Sequence, residues 1–129
     1  MAHANSRDWT QYRYTATNNT QVDSGLDQIF TGAIPTANEV RSTPVIADGK
    51  IFVGNHESGE LQAFDLVTGE LLWQEQAPNW VHSEMIYVDG RIFVGFGNRY
   101  AGEGPKGYRG SGESGVLSLD PDSGEILWR

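Results

Sequence analysis

The stretch that decides the fold is AFDLVTGELLW, at residues 63–73, which returns near the end of the chain as SLDPDSGEILW, at residues 118–128. Both copies place aspartate third, glycine seventh and tryptophan last. The chain has only four tryptophans, and two of them close the same eleven-residue phrase. A phrase repeated in this way indicates a repeated structural unit, so the repeat is the first feature to interpret.

A second similarity lies upstream of each phrase. Residues 40–54 read VRSTPVIADGKIFVG, and residues 81–95, which lie 41 positions later, read VHSEMIYVDGRIFVG. Eight of the fifteen aligned positions are identical. The tryptophan phrases are 55 positions apart, so the second copy contains 14 additional residues. We assign them to an inserted loop at residues 96–113, which is rich in glycine.

Each copy predicts four short antiparallel strands. Asp48-Gly49 is a strong two-residue hairpin signal, and the β-branched and aromatic residues after it favour a strand. Thr68-Gly69 predicts a second tight turn, in which Asp65 accepts backbone N–H groups and glycine takes a positive φ. No segment has the pattern of an amphipathic helix. The sequence therefore predicts an all-β protein made of β-propeller blades.

The tryptophan that closes each phrase is predicted to join neighbouring blades. A repeat unit cannot bury its faces alone, so one large aromatic residue at the blade edge can cover the gap to the next unit. Its indole N–H would then donate to a carbonyl of that unit. The residues predicted to have this structural docking role are Asp65, Thr68, Gly69 and Trp73 in the first copy, and Asp120, Ser123, Gly124 and Trp128 in the second.

These residues resemble the propellers built from pyrroloquinoline-quinone-type repeats, whose docking signature is Ala-x-Asp-x-x-Thr-Gly-x-x-x-Trp. Residues 63–73 match all five specified positions, and the second copy has serine at two of them. The resemblance implies a ring of seven or eight blades. The chain divides into an N-terminal segment with an outer strand (1–39), a blade (40–80) and a blade with the inserted loop (81–129). We expect a partial propeller: either a fragment of a longer protein, or a ring completed by oligomerisation, in which four copies supply eight blades.

Composition narrows the possible partners. The net charge of −8 and the pI near 4.7 disfavour nucleic acid and anionic lipid. Cysteine is absent, which excludes disulfides and thiolate sites, and no apolar run is long enough to span a membrane. Ala2-His3-Ala4 is compatible with a secretion-signal remnant, and Asn18 begins an Asn-x-Thr acceptor whose glycosylation the sequence leaves open. We expect an extracytoplasmic protein.

The resemblance also raises an enzymatic alternative. Quinone-dependent dehydrogenases of this superfamily hold pyrroloquinoline quinone and calcium, often with a glutamate before the Ser-Thr-Pro of the innermost strand. This chain has Arg41 at that position and His82 at the repeat-equivalent one. We therefore predict no catalytic residue and no cofactor. Both side chains are expected at the mouth of the central channel, either lining a binding surface or standing in solvent.

Metal binding has little support in the sequence. His56-Glu57 and His82 with Glu84 carry ligand-type side chains, but no His-x-x-x-His pattern is present. The run at residues 120–125, DPDSGE, lacks the spacing and the closing glutamate of a calcium loop. The repeat already explains that run as a turn. We predict no metal site.

The inserted loop is the strongest candidate for a binding surface. It carries side chains that are frequent in binding hot spots, and long loops on rigid scaffolds often perform recognition. Its candidate residues are Arg99, Tyr100, Lys106, Tyr108 and Arg109. Its glycines equally favour a disordered loop.

We predict a non-enzymatic scaffold with a protein partner and self-association through open blade faces. The alternatives are a dehydrogenase fragment, and a carbohydrate- or cell-surface-binding module that stacks ligands on Trp80, Tyr100 and Tyr108.

Overall fold

The computed structural model describes Thr10, residues 33–98 and 112–129, and the backbone of residues 103–104 and 107–108. This part of the chain contains strands and turns but no helix, which confirms the all-β prediction. It therefore also contains no helix able to cross a membrane. The outer strand predicted within the N-terminal segment, which the sequence places at residues 26–30, and Asn18 lie outside the described residues.

Two four-stranded antiparallel sheets follow one another along the chain. The first has the order β1 (Val45–Ala47), β2 (Lys50–Gly54), β3 (Glu60–Asp65), β4 (Leu71–Gln76). The second consists of β5 (Ile86–Val88), β6 (Arg91–Phe96), β9 (Gly115–Leu119) and β10 (Ile126–Trp128), in the order β10-β9-β6-β5. Between β6 and β9, β7 (Glu103–Gly104) pairs with β8 (Gly107–Tyr108).

The first hairpin of each sheet turns on Asp-Gly, as predicted. Asp48 and Gly49 have φ values of 47° and 71°, and Asp89 and Gly90 have 48° and 71°. Positive φ at both central residues is the geometry whose twist matches that of the flanking strands. The hairpin register, with Ala47 opposite Lys50, follows directly from this two-residue turn.

The turn after the third strand is held by its aspartate. Asp65 Oδ1 accepts the backbone N–H groups of Val67 and Thr68 at 2.8 and 2.7 Å. These bonds lower the pKa of Asp65 and keep its carboxylate ionised, and the bond from Thr68 N–H contributes most. Gly69, at φ 73°, completes the turn by donating to Asp65 O at 2.9 Å.

The second copy repeats this turn. Asp120 Oδ1 accepts Asp122 N and Ser123 N, both at 2.9 Å. The bond from Ser123 N contributes most to lowering the pKa of Asp120. Gly124 closes the turn at φ 79°. Serine at position 123 therefore reproduces the turn that threonine forms in the first copy.

Two predicted boundaries differ from the structure. The sequence predicts that the fourth strand ends at Trp73, but the strand continues to Gln76, because Gln76 still pairs with Glu60. Phe96, assigned to the inserted loop, is the last residue of β6 and pairs with Gly115. The β7–β8 hairpin lies within the insertion, so this segment carries some strand structure of its own.

Candidate functional site

The junction between the sheets is an apolar interface with one aligned column of side chains. Val45, Phe52, Ala63 and Trp73 stand side by side across the four strands of the first sheet. All four are at most 9% exposed. The second repeat contributes residues that are at most 1% exposed: Val81 and Met85 before β5, and Ile92, Val94, Leu117 and Leu119 in the second sheet. Together these side chains form most of one hydrophobic core that spans both sheets.

Trp73 connects the sheets directly. Its Nε1–H donates at 2.9 Å to the backbone oxygen of Pro121, in the turn between β9 and β10. The ring also covers Gly124, where a Cβ atom would lie only 2.7 Å from Trp73 Cε3. On its own sheet the ring meets Phe52 at a centroid distance of 5.9 Å. The turn glycine of the second sheet thus provides the surface on which the indole of the first sheet lies.

The outer face of the second sheet has the same arrangement without a neighbour among the described residues. In the second sheet, Trp128 lies opposite Ser118, and Ser118 lies opposite Phe93. The first sheet has the same column, with Trp73 opposite Ala63 and Ala63 opposite Phe52. The rings of Trp128 and Phe93 are again 5.9 Å apart. Trp128, however, is 46% exposed, whereas Trp73 is 9% exposed. We call this surface the trailing face, and its exposed residues are Ile86, Val88, Val116 and Trp128.

The opposite face of the first sheet carries an apolar groove of about 410 Å³. We call this surface the leading face; the groove is lined by Ile34, Thr36, Val40, Pro44, Ile51, Val53 and Phe64. The repeat-equivalents of its sheet residues Ile51, Val53 and Phe64 are Ile92, Val94 and Leu119, which are buried in the junction. By repeat equivalence, the leading face is the type of surface that a trailing face covers. Its residues Val53 and Phe64 are only 5% and 3% exposed, so the leading face is less open than the trailing face.

A third feature, at one end of the gap between the sheets, is a cluster of His56, Trp80 and His82. Nε2 of His56 lies 2.8 Å from Nε2 and 3.1 Å from Nδ1 of His82. Trp80 stacks on His82 at 5.5 Å and meets His56 at 5.2 Å. His56 is buried and His82 is exposed. The sequence interpretation did not pair these histidines, because 26 residues separate them and neither belongs to a metal-binding spacing pattern.

The buried histidine is held in its neutral form. Burial is the main cause that lowers the pKa of His56, and the positive ends of His82 and Arg41 lower it further. Glu57 and Glu39 act in the opposite direction. Arg41 is itself exposed and forms an ion pair with Glu39 at 2.9 Å. Arg41 and His82 thus lie near the same end of the gap, and their predicted position at a channel mouth stays a prediction.

The loop candidates cannot be placed on this site. Arg99, Tyr100, Lys106 and Arg109 lie outside the described residues, and only the backbone of Tyr108 is described. Trp80, proposed as a stacking platform, already has two histidine rings against it. Within residues 33–98 and 112–129, no group of three histidine, aspartate or glutamate side chains is arranged to hold a metal ion.

Comparison with known proteins agrees with this architecture. The structure is similar to the quinohemoprotein alcohol dehydrogenase from Comamonas testosteroni, with a TM-score of 0.63 and 20% identity, over 94% of this chain and 19% of that one. A europium-containing methanol dehydrogenase gives a TM-score of 0.52 and 21% identity over 69% of this chain and 15% of that one. The chain thus spans less than a fifth of either enzyme. At these identities the similarity shows the propeller fold alone.

Comparison of the sequence shows the family. No curated protein matches the chain. The family described as "Outer membrane protein assembly factor BamB" matches residues 9–129, which is nearly the whole sequence. The two sheets, their Asp-Gly hairpins and the repeated tryptophan phrase fit that match. The chain therefore belongs to this family of pyrroloquinoline-quinone-like repeat β-propellers.

Proposed function

We propose that this chain is a non-enzymatic propeller segment of an extracytoplasmic scaffold, and that it acts by binding protein. The observation that carries the proposal is the apolar trailing face, where Trp128 is 46% exposed although its repeat-equivalent Trp73 is buried in the junction. A surface of this kind on a folded protein marks an interaction site. The family description, an outer-membrane protein assembly factor, supports both a protein partner and a location outside the cytoplasm.

The junction inside the chain indicates how the faces would be used. There, the first sheet presents Trp73 and Phe52, and the second presents the turn at Gly124. Trp128 and Phe93 present the same pair on the trailing face. A further repeat unit, from a longer chain or from a second copy, would offer its turn to Trp128 in the same way. The docking role of the two tryptophan phrases is part of this proposal.

Self-association is the accessible test of the trailing face. Analytical ultracentrifugation over a range of concentrations should give a mass that rises above 14.2 kDa. Trp128→Glu and Val116→Glu place a charge on the face and should restore a monomer. Leu72→Glu is the matched control, because Leu72 and its repeat-equivalent Leu127 stay 45% and 42% exposed, although the junction covers the trailing side of the first sheet and the leading side of the second. A wild-type chain that stays monomeric at every concentration would exclude self-association through these faces.

A dehydrogenase segment is the second candidate, because both similar structures are described as dehydrogenases. Such an enzyme would hold pyrroloquinoline quinone with calcium. The described residues do not fit a calcium site, since they contain no group of three carboxylate or histidine ligands. Adding the quinone with Ca²⁺ and recording its absorption spectrum separates the candidates: an unchanged spectrum is expected for a scaffold, and a saturable shift for an enzyme segment.

A further inference from the structure

Polar contacts join the first blade to the second beside the apolar core of the junction. Nζ of Lys50 lies 2.8 Å from Oδ1 of Asp122, in the turn between β9 and β10. The hydroxyl of Tyr87, in β5, donates to Oδ2 of Asp48, in the first hairpin turn. The first blade thus offers a cation and an acid to the second blade, and the second blade has a complementary group for each.

The trailing side of the second blade carries the same two charges again. Asp89 and Arg91 lie 41 positions after Asp48 and Lys50, and both are exposed. Asp89 has the backbone conformation of Asp48, with a φ of 48° against 47°. Arg91 lies opposite Val88, which belongs to the trailing face. The trailing face therefore presents an acid and a cation beside its apolar side chains.

The complementary groups of the junction have no counterpart on the first blade. Ile46 stands 41 positions before Tyr87, and Val67 stands 55 positions before Asp122, so each is the repeat-equivalent. Ile46 lies opposite Ile51, which lines the groove of the leading face. Val67 is 73% exposed in its turn. The first blade thus has an aliphatic side chain at both places where the second blade has its hydroxyl donor or its carboxylate.

A second copy of this chain would fit the trailing face incompletely. Docked in the geometry of the junction, its Ile46 would meet Asp89. Its Val67 would meet Arg91. Each charge would lose contact with water and gain no partner, and burial of a charged group without compensation costs free energy. Mismatched groups of this kind select between partners, as favourable contacts do.

We propose, building on the function proposed above, that the trailing face binds a repeat unit of the second kind and disfavours a second copy of this chain. The partner is a propeller blade with a carboxylate at the place of Asp122 and a phenolic hydroxyl at the place of Tyr87. Its carboxylate pairs with Arg91, its hydroxyl donates to Asp89, and its turn covers the ring of Trp128. Charge complementarity selects the partner across an interface that is otherwise apolar.

Sedimentation equilibrium of full-chain variants tests this selection, because the missing groups can be added to the leading face. Val67→Asp gives the first blade the acid of the second, and the turn at Asp122 shows that aspartate fits this place. The dissociation constant of self-association should fall about two- to fivefold, the range of an exposed ion pair. Val67→Asn, which has the shape of aspartate without its charge, is the matched control and should associate like the wild type. Since the net charge is −8, general repulsion by an added acid acts in the opposite direction.

Arg91 supplies the second half of the test. Arg91→Ala combined with Val67→Asp should cancel the gain, and the exchanged pair of Arg91→Asp with Val67→Lys should recover it. A gain that persists with Arg91→Ala would overturn the proposal, because another contact would then be responsible.

The same measurements separate this proposal from the function on which it rests. A wild type that self-associates as tightly as Val67→Asp would overturn the selection and keep the trailing face as an interface. A monomeric wild type together with an associating Val67→Asp would support the selection and exclude self-association of the unmodified chain. If the wild type, Val67→Asp and the double variant Ile46→Tyr/Val67→Asp all stay monomeric, the selection is refuted together with association through this face.

Discussion

Replacing Trp73 by alanine should cost clearly more stability than the same change at Trp128, although the two residues are repeat-equivalent. The exposed fractions are 9% and 46%. For a side chain of about 250 Å², that difference is about 90 Å² of buried surface. At about 25 cal/mol/Å² it corresponds to about 2 kcal/mol. Trp73→Ala also removes the hydrogen bond to Pro121 O, which adds about 1 kcal/mol.

The expected free-energy losses are therefore about 4 kcal/mol for Trp73→Ala and about 2 kcal/mol or less for Trp128→Ala. Urea unfolding followed by far-ultraviolet circular dichroism measures both without relying on tryptophan emission. A domain with a total stability of about 5–15 kcal/mol can be unfolded by the larger loss. Trp73→Phe, which keeps a ring and loses the N–H donor, then gives a smaller and measurable change. Equal losses at positions 73 and 128, measured on the monomer, would refute the reasoning from burial.

Three other predictions rest on the same contacts. Gly124→Ala should destabilise by about 1–3 kcal/mol more than Gly69→Ala in urea unfolding, since both glycines have positive φ but only at Gly124 would a Cβ meet the Trp73 ring, at 2.7 Å. The pKa of His56 is lowered in the folded state, so the unfolded chain binds more protons at acidic pH. The free energy of unfolding should therefore fall as the pH drops below about 6.5 toward the folded-state pKa. His56→Gln should reduce this pH dependence of stability. The pKa values of Asp65 and Asp120 are also lowered in the folded state. Their contribution to the free energy of unfolding is therefore present above about pH 3.8 and is lost as the pH falls through the folded-state pKa values. Asp65→Asn should reduce this loss of stability at acidic pH, measured as unfolding midpoints over a pH series.

Much of the fold was predictable because its signals are local. Asp48-Gly49 and the Asp65 turn specify backbone conformation within a few residues, and the alternation of apolar residues sets which side of each strand is buried. The repeat then transfers these assignments from one sheet to the next. The end of β4 and the β7–β8 hairpin were missed, because strand length and pairing depend on the partner backbone more than on residue type.

The candidate site was less predictable. The burial of Trp73 and the exposure of Trp128 follow from which sheet lies beside each ring, and the eleven-residue phrase is nearly the same in both. His56 and His82 belong to no recognisable pattern, because their contact arises only when the two sheets pack together. The pKa of His56 depends on the same packing, since burial is its main cause.

The amino-acid sequence by itself determined the all-β fold, the turns and the repeat, because hairpin chemistry and strand alternation act between residues close together in the chain. The tertiary structure alone decided which of two equivalent tryptophans is covered, which apolar side chains are exposed among the described residues, and which histidines meet. Those outcomes depend on how one sheet is placed against the next, and residues far apart in the sequence contribute to them jointly.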